Sequence, residues 1–183
     1  FKSLNLDNPW TRFKRFFLEV VLQYKVIRNR PLVGVMHALV MWGFFSFVFI
    51  TLGHFWVGLN NLWVKNLLIH TWYGDFVAVW AVLVLVGILS LTYRRFVKQP
   101  KELGKISLTS GLIALAICVL MITYLLDWRV LQAYSTGWVV NWWLHTLSLF
   151  SMLWIIPNSK HLHLLLAPVN IFLESDSQST VRP

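Results

Sequence analysis

Four stretches of the chain are predominantly apolar, and the first of them is almost uninterrupted. The stretches lie at about Pro31–Val57, Asp75–Tyr93, Ser107–Leu126 and from near Trp138 to Pro157. Crossing the hydrocarbon core takes about 20 residues of helix, so each stretch predicts a transmembrane span. Proline opens the first, where its missing amide proton does least harm. Pro157 is expected to end or kink the fourth, before an apolar tail from Leu162 to Leu173 that continues at or near the interface. The fold class is therefore all-α integral membrane, a four-transmembrane-helix bundle.

Ahead of the first span, Trp10, Phe13, Phe17, Val20, Val21 and Tyr24 recur at helical spacing, with Arg12, Lys14, Arg15 and Lys25 among them. This pattern predicts an amphipathic helix lying on an anionic membrane surface, in preference to a soluble helix packed on a partner. The expected organisation is an interfacial helix over 1–30, a transmembrane domain over 31–173 and a polar tail over 174–183.

Composition agrees. With 57% hydrophobic residues among 183, the chain has more apolar surface than a soluble domain of its size could bury. The formal charge of +9 does not point to nucleic acid, because the basic residues flank the spans instead of forming a polar domain. Residues 1–30 carry seven, 94–105 carry five, and Lys160 and Arg182 fall on the same side; only Lys65 and Arg129 lie in the opposite loops. By the positive-inside rule both termini are cytoplasmic, in the cell's inner membrane. The opposite loops carry the interfacial aromatics Trp56, Trp63, Trp72, Tyr73, Trp128, Tyr134 and Trp138. A single cysteine, Cys118, builds neither a disulfide nor an iron–sulfur cluster and reads as a small buried hydrophobe.

Six histidines in so apolar a chain are the chemical signal, because ionisable groups at membrane depth are functional candidates by default. His37 stands near the inner end of the first span and His54 seventeen residues later near its outer end, a rise of roughly 25 Å. On the returning fourth span, His145 lies near the outer end and His161 and His163 at the inner end. Antiparallel packing would make two facing pairs, His37 with His163 and His54 with His145. Two neutral imidazoles from different helices are what b-type haem iron takes as axial ligands. His163 follows His145 by eighteen residues, five whole turns, whereas His161 points almost oppositely on an unbroken helix; Pro157 leaves that choice open. His70 reads as an interfacial histidine bonded to water or headgroups and is the alternate outer ligand to His54. For His37 and His145 the competing reading is an interhelical hydrogen bond, since an unsatisfied imidazole in hydrocarbon costs several kcal/mol.

The same residues carry a family resemblance. Arg30 to His37, then Trp42-Gly43-Phe44, together with Trp142 to His145, Pro157 to His163, Ala167-Pro168 and Asn170, resemble a cytochrome b membrane module. That module is shared by the gamma subunit of respiratory nitrate reductase and the membrane subunits of heterodisulfide reductase. It also heads iron–sulfur oxidoreductases working between electron-transfer flavoprotein and menaquinone. Arg94 to Lys98 after the second span is similar to it too. The nitrate reductase branch has a second histidine ten residues after the first, where this chain has Phe47, and a further N-terminal span that would precede Phe1. The resemblance implies a dihaem b cytochrome carrying electrons between a cytoplasmic partner and a membrane quinone or phenazine. The partner would be an iron–sulfur subunit or domain, electron-transfer flavoprotein or a heterodisulfide-reductase-like protein. In fused relatives a cysteine-rich domain follows; here it is expected on a separate subunit or in sequence beyond the polar tail.

Two other classes compete. A transporter would show midplane polar groups or inverted repeats, and neither is visible. A haem-free anchor explains charge and hydropathy but not the paired depths of the histidines. For quinone chemistry the proton-exchanging candidates are Asp75, Asp127 and Arg129 at the outer face and Lys160, beside Asn158, at the inner face. Against these stand an N-cap role for Asp75 and a surface ion pair between Asp127 and Arg129. No hydrolytic, phosphate-loop or dinucleotide motif appears.

Overall fold

The computed structural model describes residues 9–58, 72–101, 104, 106–131, 135–159, 162, 166 and 170–172, with the side chains of 9 and 54–58 outside that description. The described residues are helical and include no strand. Two compact units form, one from residues 1–34 and 156–183 and the other from residues 35–155.

In the first unit, α1 (Pro9–Phe16) widens into a π turn over Phe17–Val21, whose closing bond runs from the Leu22 amide to the Phe17 carbonyl at 2.9 Å. Gln23 then takes a left-handed conformation, φ 49°, and α2 (Tyr24–Asn29) begins. Within the described part of the interfacial helix expected over 1–30, the chain forms two pieces, α1 and α2. Apolar spacing reports which positions share a face, but a wide turn followed by one positive φ reverses direction without disturbing that spacing. Arg30 is extended, as the residue before a proline tends to be, and Pro31 opens α3 (Pro31–Gly58). Gly34 is required here: a Cβ would lie 2.5 Å from the Cα of Ile27, so only glycine lets α2 lie against the first turn of α3.

In the second unit, α3 continues and is followed by α4 (Trp72–Tyr93), α5 (Leu108–Arg129) and α6 (Thr136–Ile155). Three segments, Pro31–Gly53, Trp72–Lys98 and Leu108–Arg129, are long and apolar enough to cross a membrane. The fourth, α6, is not among them, because Asn141, His145, Thr146, Ser148 and Ser151 dilute its 20 residues. Its start is fixed by Ser135, whose Oγ accepts the Trp138 amide at 3.2 Å.

Alanines share the buried helix contacts with larger residues such as Met41, Ile50 and Leu120, while many other large apolar side chains face outward. Ala38, Ala81, Ala114 and Ala116 are buried, whereas Leu108 and Trp154 are 78% and 77% exposed. This arrangement suits lipid as solvent, where helix association depends on close backbone approach and not on hiding leucine from water. Helix α3 lies on α4 through two glycines: a Cβ on Gly43 would reach within 2.0 Å of Val84, and one on Gly87 within 2.8 Å of the Met36 carbonyl. The Tyr73 hydroxyl donates to the Ser46 carbonyl at 2.7 Å and adds a polar tie. Helix α5 packs against both α4 and α6.

Candidate functional site

Three hydrogen bonds made by polar side chains stitch α5 to α6. Ser148 donates to the Ala116 carbonyl at 3.0 Å, Asn141 donates to the Thr123 carbonyl at 2.9 Å, and the Thr123 hydroxyl lies 2.8 Å from Nδ1 of His145. Thr123 is 4% exposed and His145 half-buried. The same hydroxyl is 2.7 Å from the Val119 carbonyl and 3.1 Å from that of Leu120. A carbonyl only accepts and a hydroxyl has one proton, so when Thr123 donates to its own helix its oxygen must accept from Nδ1–H. In that arrangement Nδ1 carries a proton, and it is the neutral tautomer of such a ring that can ligate a metal through Nε2. Metal-binding histidines are held in this way, with one ring nitrogen donating to a fixed acceptor while the other binds.

The other predicted ligands divide. His37 is exposed on α3, beside the buried Ala38. His54 lies in α3, but its side chain is outside the description, and His70, His161, His163 and Lys160 fall outside the described residues. Each facing pair, His37 with His163 and His54 with His145, includes one histidine whose side chain lies outside the described residues. Among the described residues no cluster of three or more His, Cys, Asp or Glu side chains could hold a metal ion.

A second polar group sits on the same end of α5. Asp75, in the first turn of α4, accepts the Trp128 indole N–H at 3.1 Å and pairs with Arg129, both charged groups being more than half exposed. This corrects two expectations. Arg129 pairs with Asp75 and not with Asp127, because residues two apart on a helix point to different sides. Asp75 is not the N-cap: the helix starts three residues earlier, and the carboxylate reaches across to α5 instead of back to its own amides. A negative charge in a first turn is nonetheless favoured by the helix dipole.

Aromatic rings connect the two groups. A Cβ on Gly74 would sit 2.1 Å from the Trp128 ring, so glycine is what admits the indole against the backbone of α4. Tyr124 stacks on Trp128 at 6.3 Å, donates to the Gly74 carbonyl at 3.2 Å, and meets Phe47 edge-on at 4.9 Å. Thr123 precedes Tyr124, and Arg129 stands six residues on, so the His145 tie and the Asp75 cluster are about 9 Å apart along α5. Thr123, Tyr124 and Gly74 were missed as functional candidates by sequence reasoning. The one usable signal was a threonine inside an apolar helix, which needs a hydrogen-bond partner.

No family model matches the chain, and no solved structure matches it. The chain is 25% identical over 191 residues to the probable iron-sulfur-binding oxidoreductase FadF of Bacillus subtilis (strain 168). That match covers 88% of this chain and 26% of the relative, so the chain spans about a quarter of the length of the protein it resembles.

Proposed function

We propose that the chain is the membrane cytochrome of a redox complex, a dihaem b-type module passing electrons between a cytoplasmic iron–sulfur or flavoprotein partner and the quinone pool. The observation supporting this reading is the bond between Thr123 and His145, which holds the ring through Nδ1 between α5 and α6 and would leave Nε2 to bind a metal. Similarity to an iron-sulfur-binding oxidoreductase supports a redox role and an iron–sulfur partner.

His145 would hold an outer haem with His54, or with His70 in its place, and His37 an inner haem with His163 or His161. Bound there, haem supplies a one-electron carrier; the chain's own residues set where it sits and what surrounds it. At the outer end Asp75 would exchange protons with water and quinol, with its ion pair to Arg129 and the Trp128 indole N–H positioning it, while Asp127 is a further candidate. Lys160 is the inner-face alternative. The basic residues would face the cytoplasm, placing α6 across the membrane as a fourth span and both ends of the chain inside.

A haem-free anchor is the second reading, since a hydrogen bond to Thr123 also satisfies a histidine that merely ties two helices. Membrane vesicles containing the chain and its partner separate the two. In a cytochrome, a b-type absorption band reduced by dithionite is reoxidised by a soluble quinone analogue, and no such band exists in an anchor.

A further inference from the structure

A basic cavity of about 620 Å³ opens between α1 and α2, lined by Lys14, Arg15, Lys25 and Arg28 with Thr11 and Tyr24 among them. Glu19 is the one acidic residue in the lining, so four cations face a single carboxylate. The left-handed turn at Gln23 creates the cavity by redirecting the chain, which brings the basic residues of two short helices around one space. Lys14, Lys25 and Arg28 are exposed at its rim, and the Arg28 guanidinium lies over the Tyr24 ring at 6.0 Å.

An aromatic face adjoins this cavity. Trp10, Phe13 and Phe17 stack in series at 5.9 and 6.5 Å and are 71%, 51% and 44% exposed. Thr11, Lys14 and Leu18 each follow one of these aromatics by one residue, about 100° further round the helix. A stacked apolar stripe beside a cationic hollow matches a molecule that is itself divided into acyl chain and anionic head.

We infer that this cavity binds the phosphodiester headgroup of an anionic phospholipid, with the lipid's chains lying along Trp10, Phe13 and Phe17. An acidic protein segment would satisfy the charge but leave the stacked aromatics in water. The candidate span Pro31–Gly53 begins two residues after Asn29 of the lining, and this chain connectivity keeps the cavity near lipid. The site is independent of the haem reading.

The test is lipid retention by the full chain purified in detergent, read by native mass spectrometry after exchange into phosphatidylglycerol or phosphatidylcholine. The native chain should keep phosphatidylglycerol in preference. Lys14→Gln/Lys25→Gln/Arg28→Gln should lower retention about tenfold or more, Lys14→Arg/Lys25→Arg should restore it, and Lys101→Gln should not change it. Equal retention by the triple glutamine variant would overturn the proposal. So would displacement of the lipid by inorganic phosphate alone, which would mark a small-anion site, or by a polyglutamate peptide, which would mark a protein interface.

Discussion

Thr123 and His145 lie on different helices, 22 residues apart in sequence, with Oγ1 of one 2.8 Å from Nδ1 of the other. With its own proton given to the Val119 carbonyl, the Thr123 hydroxyl accepts from Nδ1–H of His145. Replacing Thr123 by valine keeps its shape and removes the acceptor. Thr123→Val should therefore weaken haem binding at His145 roughly 10- to 100-fold and shift its midpoint potential, while the helices stay folded. Titration with haemin, followed by a redox titration, measures both. Loss of His145 itself, as His145→Ala, should remove one haem and leave the other.

His37→Ala should abolish the inner haem and block reduction from the cytoplasmic partner, because a methyl group cannot replace an axial imidazole. Unchanged haem content would exclude His37 as a ligand. His70→Ala should leave the absorption spectrum intact; a lost haem would make His70, and not His54, the outer partner of His145.

Three of the long helices were legible because uninterrupted apolar length is a local property, whereas α6 is interrupted by polar residues; the boundaries at Pro31 and Ser107 carry their own backbone logic. What the pattern hid depends on which faces of distant helices meet. Arg129 reaches Asp75 across 54 residues, and nothing in the run Asp127-Trp128-Arg129 distinguishes that partner from Asp127. The break at Gln23 was invisible for a different reason, since it sits in backbone dihedrals and leaves the apolar spacing unchanged.

Asp75→Asn keeps an oxygen for the Trp128 indole but removes the charge that pairs with Arg129. Both haems should remain and quinone-linked turnover should fall, as loss of a positioned proton-transfer group costs roughly 100-fold or more. Undiminished turnover with a soluble quinone analogue, together with a fall in Lys160→Met, would move the site to the inner face.

Gly43→Ala should destabilise the α3–α4 contact by about 1–3 kcal/mol, since its Cβ would lie 2.0 Å from Val84. Val84→Ala should recover much of that loss when combined with it, giving a favourable coupling energy. Thermal unfolding of the four proteins of the cycle in detergent reads the effect, and additive losses would show that the two residues do not meet.

Whether the histidines hold haem is read by a pyridine haemochrome count with a reduced-minus-oxidised spectrum of the purified chain. Two haems b per chain are expected, falling to one in His145→Ala. A folded chain that binds no haem after haemin is supplied would contradict the account.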